Sequence, residues 1–557
     1  MNDVSSMFDR SRPILIIDDC TMYRTATRGM LLKLGFSPEQ ILLAKDAVAA
    51  LEIVKHKAVQ LILCDYNLGE RKNGHQLLDE MVNCQMLSAD CVIIIITGDS
   101  SASVVRGFYE LRSDGYLVKP LNYVTFKERL PKFSRKKRVL ADMLTTFSNG
   151  DFTDTIAKAE ESIFNAEQHS YGAQFLKAKA LIQLNKCDEA KNILIHLQGK
   201  PIRAEVQIEF ARLELKQKQY KSCLATLSPF EKDPIHCTKV LLLSAQCYLA
   251  QQQLSLALEK MTESVKHSPR NIENTIFCSH IAMAMFDVKP AYDTLDMALS
   301  QSRHSYRETL LLHQMVAQLN LNVIQFTQDV NKGELFARFI ERYKHWRSYY
   351  SRKDYKPFEL LLKARAHGLQ GNISQCKTLL NEYLQWQDDE YISSVYELIE
   401  LANVYSILHD TEKYQESISR VKVCLAQVDI YKQQTLTLYL NRWQSKLAQV
   451  KAEVSRAKKR CLSYIKIKEF EKAVKLIITA LDLDSTDTDL GQLTIICLSR
   501  AWPMGWSKKS VIKLVMRCRE LLKNTPVVLT PEYRVASKLL AKQLQVKEVS
   551  YELDNVI

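Results

Sequence analysis

Five side chains in the first quarter of the chain are of the types that handle a phosphoryl group. Asp18 and Asp19 are adjacent, Asp65 follows, Thr97 comes next, and Lys119 directly precedes Pro120. Neighbouring carboxylates after an apolar run repel each other and resist desolvation, so a cation must make the pair worthwhile. Crowded carboxylates offer hard oxygen ligands, which suit Mg²⁺ (or Mn²⁺) and let the ion join protein to phosphate. A lysine supplies a point positive charge for a phosphoryl oxygen, and a threonine donates a hydrogen bond to another. Singly, a strand-end Asp or Thr only caps the next helix. All five in this order form a constellation.

The elements that must position them are legible. Short aliphatic runs recur at 14–17 (ILII), 41–44 (ILLA), 61–64 (LILC), 92–96 (VIIII) and 115–118 (GYLV), separated by amphipathic stretches such as 23–35 and 46–57. Continuous apolar strands alternating with helices predict an α/β fold: a doubly wound, five-stranded parallel sheet with helices on both faces. In such sheets the ligand site lies beyond the carboxyl ends of the strands. Asp18 and Asp19 follow the first run, Asp65 the third, Thr97 the fourth and Lys119 the fifth.

On the DD pair, Asp65, Thr97, the Lys119–Pro120 dipeptide and Tyr116, residues 12–130 resemble the receiver domain of two-component response regulators, a CheY/flavodoxin-like fold. The resemblance implies that Asp65 is the phosphoacceptor nucleophile, charged by a sensor histidine kinase or phosphotransfer protein. It implies that Asp19 and Asp65 bind Mg²⁺ directly, Asp18 through water and Asn67 through its backbone carbonyl. Thr97 and Lys119 would grip the phosphoryl oxygens, and Thr97 and Tyr116 would move as switch residues. The only catalysis expected is the domain's own phosphoryl transfer and dephosphorylation, so the chain is otherwise not an enzyme. One departure is the stretch YNLGERKNGHQLL after Asp65, which lacks the proline the family often carries four residues beyond the acceptor. Asn67 and Asp99 occupy positions that influence phosphoryl lifetime in that family.

At 557 residues the chain needs several domains, and 15 Gly with 13 Pro favours long helices over a turn-rich β fold. Small residues recur at Ala157, Ala190, Cys223, Ala257 and Ala291, at steps of 33 or 34. Twelve residues before the last four stand Ala178, Ala211, Ala245 and Ser279. Two antiparallel helices approach closely only where side chains are small. The period resembles that of tetratricopeptide (TPR) repeats, which implies an all-α, TPR-like helical solenoid. The expected division is a receiver domain at 1–131, a basic linker or helix start at 132–140, TPR-like repeats at 141–300, and an irregular helical segment at 301–360. Further TPR-like hairpins would occupy 361–500, with 401–418 at a wider spacing, and a C-terminal helical cap 501–557. The whole is similar to VieB-type receiver–tetratricopeptide regulators of bacteria.

Net charge is +13 overall, yet residues 1–130 hold 15 basic and 16 acidic side chains, so the excess lies in the helical part. That excess suits a protein partner with acidic patches in the TPR groove. Nucleic-acid binding through the basic helical half is the alternative; the Arg- and Tyr-rich segment 336–358 invites it, but the helical spacing of its aromatics favours an inward-facing stripe. The longest apolar run, 91–97, is too short to span a bilayer, and the N-terminus lacks a signal-peptide pattern, so no membrane insertion and a cytoplasmic location are expected. The 14 cysteines lack CxxC spacing and are read as reduced thiols. A homodimer is compatible with both halves, since receiver faces and repeat arrays commonly self-associate in their families.

Overall fold

The computed structural model describes the chain except residues 1–3, 70–71, 99–106, 108–112, 166–169, 200–201, 328–329, 387–392, 524 and 545–557. It divides into two compact units, residues 1–278 with 297–308, and residues 279–296 with 309–557.

The first unit begins with five parallel strands: β1 (Ile14–Ile17), β2 (Ile41–Ala44), β3 (Leu61–Asp65), β4 (Val92–Thr97) and β5 (Gly115–Val118). Their order in the sheet is β2-β1-β3-β4-β5. Because side chains alternate along a strand, the aliphatic runs supply two cores at once. Leu15, Ile17, Ile62 and Ile93 pack on one face with Ala50 of α2 (Ala47–His56) and Leu77 of α3 (Gly74–Asn83). Ile14, Ile16, Leu63 and Ile94 pack on the other with Leu31 of α1 (Thr21–Lys33) and Phe126 of α4 (Tyr123–Val139). The basic cluster at 132–138 is no linker: α4 runs through it without a break. Asp99, and the chain between β4 and β5 apart from Gly98, Gly107, Ser113 and Asp114, lie outside the described residues.

Among the described residues, every regular element after α4 is a helix. The 12-residue spacing seen in the sequence is a contact: Cys223 Sγ lies 3.2 Å from the Ala211 carbonyl, and Ser279 Oγ donates to the Ala291 carbonyl at 2.8 Å. Ala178, Ala190, Ala211, Cys223, Ala245, Ala257, Ser279 and Ala291 are all inaccessible to solvent. Ala157 is exposed, and in its helix Thr155 and Ala159 take the buried positions.

The turn between paired helices is built one way throughout. Asn185, Lys218, Gln252 and Phe286 each adopt a left-handed backbone with φ of 60–63°. In each case the next N–H reaches the carbonyl five residues back, as in Lys186 to Leu181 and Gln253 to Tyr248. This closure satisfies the orphaned carbonyls of the first helix end. Gly371, His409 and Lys468 repeat it in the second unit. The stretch 401–418 therefore turns like the others, with Ala402 buried and the bulky Tyr414 where a small residue stands elsewhere. The span 430–466 is one helix of 37 residues.

In the second unit Arg365 and Glu400 form an ion pair at 3.0 Å with both side chains wholly buried. Arg365 also donates to Asn322 and Gln325, each at 2.7 Å, and Glu400 accepts from Gln318 and Asn403. Three helices, Leu310–Phe326, Arg352–Leu369 and Val395–Ile407, meet at this network. Within 336–358 the stripe is inward only in part: Phe339 and Trp346 are buried, Phe336 and Tyr343 half-buried and Ile340 and Tyr349 exposed, while Arg342 pairs with Asp296 and Arg347 with Glu359. Among the described residues no helix is long and apolar enough to cross a membrane, and the cysteines are free thiols.

Candidate phosphoacceptor site

The site grows from the carboxyl edge of the sheet. Register places β1 beside β3 and β3 beside β4, so the residues that end these strands share one edge. Asp18 follows β1, Asp65 closes β3, Thr97 closes β4, and Lys119 follows β5. Asp18, Asp65 and Thr97 are buried, while Asp19 and Asn67 are exposed.

Lys119 draws the edge together. Its Nζ donates to Asp65 Oδ2 at 2.8 Å and to Asp18 Oδ2 at 2.9 Å, and lies 4.2 Å from the Tyr23 ring centre. Its backbone N–H donates to the Thr97 carbonyl at 2.8 Å, which fixes β5 against β4 beside the acceptor. Asp18 also accepts the Cys20 N–H at 2.9 Å through Oδ1, anchoring the turn into α1. Tyr116 lies on β5, half-buried against the core that also holds Ile95 and Cys64.

Electrostatics follow from burial. Burial pushes the Asp65 carboxyl above its ordinary pKa, and this outweighs the Lys119 ammonium and the Asn67 N–H that pull it down. For Lys119, burial disfavours the charge, but the hydrogen bonds it donates to Asp65 and Asp18 outweigh this and raise its pKa. The buried Asp65 carboxylate thus has part of its charge already offset by one ammonium.

Ligand oxygens of Asp18, Asp19 and Asp65 lie within 4.8 Å of one another. The donors are all hard oxygens, a set that fits a small divalent cation better than a soft metal.

The start of α3 abuts Asp65. A Cβ added at Gly74 would lie 2.0 Å from the Asp65 carbonyl oxygen, and the Gly74 N–H donates to the Tyr66 carbonyl at 2.8 Å. Only glycine permits that approach. The sequence reading brought Asp18, Asp19, Asp65, Thr97 and Lys119 to one edge, and there they stand. It missed Tyr23 and Gly74. A glycine nine residues past a strand-end carboxylate was the available signal for the latter.

Comparison with known proteins agrees with this geometry. The model of the response regulator receiver domain matches residues 14–130. Chemotaxis protein CheY-3 of Vibrio cholerae is 27% identical over 134 residues, which is 23% of this chain and 96% of that protein. The transcriptional regulatory protein ZraR of Klebsiella oxytoca is 28% identical over 110 residues, 20% of this chain and 23% of that one. Among solved structures, a CheY-like receiver domain protein from Methanospirillum hungatei is 24% identical and matches 22% of this chain and 98% of its own, with a TM-score of 0.20. The structure of the APC/C hetero-tetramer Cut9–Hcn1 matches 76% of this chain and 86% of its own at 10% identity, with a TM-score of 0.42. Residues 14–130 are a response regulator receiver domain, and an all-helical region follows it.

Proposed function

We propose that the chain is a bacterial response regulator whose output is protein–protein interaction, with the VieB-type order of receiver then tetratricopeptide solenoid. The observation that carries the reading is Lys119 bonded to both Asp65 and Asp18 beside Thr97 at one sheet edge. An Asp65 carboxylate oxygen forms a bond to phosphorus as the P–N bond of a donor phosphohistidine breaks, and the electron pair leaves with the imidazole nitrogen. Lys119 and Thr97 hold the phosphoryl oxygens as charge shifts among them. Asp18, Asp19, Asp65 and the Asn67 carbonyl would hold Mg²⁺ (or Mn²⁺), which supplies further positive charge when bound. Thr97 and Tyr116 act as the switch. Beyond this transfer and the hydrolysis of the aspartyl phosphate, in which water bonds to phosphorus as the O–P bond to Asp65 breaks and phosphate leaves, the chain is not an enzyme.

The helical region binds a protein partner, which can itself belong to a kinase or phosphorelay. A cavity of about 430 Å³ in the second unit supports this: Phe336, Val450 and Leu483 give it apolar wall, and Lys332, Lys451 and Lys513 line it too. Asp482 and Asp484 line it as well, and among the described residues no ion pair occupies the three lysines, which leaves them to an acidic partner segment. Burial of Phe339 and Trp346 and the ion pairs of Arg338, Arg342 and Arg347 leave fewer stacking faces and free guanidinium groups for nucleic acid in 336–358, although Tyr349 is exposed.

The test is incubation of the full chain with a phosphorylated histidine kinase, or with phosphoramidate, in the presence of Mg²⁺. Wild type is expected to take up label and Asp65→Ala to take up none. Equal labelling of both would remove the acceptor reading.

A further inference from the structure

The chain's excess charge is concentrated in one part of the second unit. Residues 430–544 form five helices, Ile430–Lys466, Phe470–Leu483, Thr488–Leu498, Lys508–Leu522 and Pro531–Leu544. That span holds 22 basic and 9 acidic side chains, an excess equal to the whole chain's +13. Attraction to an anionic partner therefore originates here, the rest of the chain being neutral on balance.

One edge of this span adds apolar side chains to the charge. In the stretch WPMGW, 502–506, the Trp506 N–H donates to the Pro503 carbonyl at 3.1 Å and Gly505 takes a φ of 83°, a tight turn with Met504 at its tip. Met504 is 89% exposed. The tryptophans on either side are half-buried against the core that holds Leu498, Val511 and Val515. Trp502 Nε1 already donates to the Leu498 carbonyl at 3.0 Å, so that ring can meet an apolar phase without an unsatisfied donor. The Met504 N–H donates to Glu471 at 3.1 Å, which sets the loop against the start of helix Phe470–Leu483. The turn just before that helix carries Ile467, 64% exposed. Gln543 donates to the Ser499 carbonyl at 3.2 Å and brings the end of the last helix to the same edge.

Lys466, Lys468, Arg500, Lys508, Lys509 and Lys542 are exposed on these three segments. The carboxylates Glu469 and Glu471 pair with other lysines, Lys472 at 3.0 Å and Lys475 at 3.2 Å, so the six cations are not offset by them. Exposed thioether and isoleucine side chains leave water favourably, and the cations around them are drawn to phosphate. A bilayer with acidic headgroups offers both phases in one plane. Nucleic acid offers the charge but stacks on open aromatic faces, whereas here the rings are half-buried and the tip is a thioether.

We propose that this edge is a peripheral docking surface for an anionic lipid bilayer. The cations meet lipid phosphates, Met504 and Ile467 enter the headgroup layer, and no segment crosses it. The proposal is independent of the chemistry at Asp65.

The experiment is sedimentation of the full chain with vesicles of phosphatidylcholine alone, or with about one third phosphatidylglycerol. Wild type is expected to sediment with the anionic vesicles only, and to be released as salt rises from about 0.1 M to about 0.5 M. Met504→Glu is expected to lower the partition coefficient about tenfold, and Arg500→Glu with Lys509→Glu by more than about tenfold. Lys344→Glu with Lys353→Glu makes the same charge change at exposed positions of other helices, and should stay within about threefold of wild type. Wild type left in the supernatant with both vesicles would overturn the proposal, as would equal binding to both. Equal losses in the two charge-reversed pairs would also overturn it, because net charge rather than this edge would then be responsible. Retention of a labelled thymidine oligonucleotide without vesicle binding would overturn it and assign the edge to nucleic acid.

Discussion

Lys119 Nζ donates to Asp65 at 2.8 Å while donating to Asp18 at 2.9 Å, so one ammonium is shared between the two buried carboxylates of the site and offsets only part of their charge. A divalent cation must compete with that ammonium for the same oxygens. Lys119→Ala should therefore bind Mg²⁺ several-fold more tightly, yet accept a phosphoryl group on the order of 100-fold more slowly, because the charge that meets the phosphoryl oxygens is gone. Calorimetric Mg²⁺ titration and labelling rates measure the two effects separately. Loss of both together would contradict this division of roles.

Gly74→Ala places a methyl group against the Asp65 carbonyl, with backbone rather than a flexible side chain in the way. The receiver domain should lose about 3 kcal/mol or more of stability, at the upper end of overpacking costs. Chemical unfolding of residues 1–140, compared with Gly98→Ala as a control in open space, checks it. Equal losses would show that the contact relaxes freely.

Acid should weaken the second unit through His280. This side chain is buried against the Tyr396 hydroxyl at 2.8 Å, and burial, aided by Lys432 and opposed by Asp429, holds its pKa down from 6.5 to about 4. The unfolded chain binds the proton first, so the cost is absent above pH 6.5, grows as pH falls, and is complete below about pH 4. It amounts to about 3 kcal/mol at its fullest. Urea unfolding at pH 7 and pH 4.5 should show a smaller acid loss for His280→Gln than for wild type. Equal losses would assign the acid sensitivity elsewhere.

The left-handed turns predict an asymmetry among substitutions. Gln252 has φ of 60°, which a β-branched residue adopts poorly. Gln252→Val should cost about 1–2 kcal/mol, whereas Gln252→Gly should change stability by less than about 1 kcal/mol. Thermal melting of the two variants decides. A valine tolerated as well as glycine would refute the strain argument.

The strands and the acceptor edge were legible because each carries a local signal: an aliphatic run and then a carboxylate, a hydroxyl or a lysine. The helical pairing was legible from small residues twelve apart, since Cys223 and Ala211 must touch for their helices to pack. Tyr414 hid one turn of the same shape, because packing there accepts a large ring and the backbone, not the side chain, defines the turn. Arg307 and Asp79 are 228 residues apart, and neither belongs to a periodic pattern. Nothing local marks such a pair; only the fold brings it together. The basic run at 132–138 misled for the opposite reason. Charge suggested a solvated link, while Phe126, Leu130 and Phe133 at helical spacing carried α4 onward against the sheet.

Repeat arrays commonly gain or lose units during evolution, since each repeat touches only its neighbours. The Arg365–Glu400 network removes that freedom from the second unit. A deletion that took out Arg352–Leu369 or Val395–Ile407 alone would leave the other member of the pair an ionised group without its partner, so these two helices, which lie in neighbouring hairpins, are not removable one at a time.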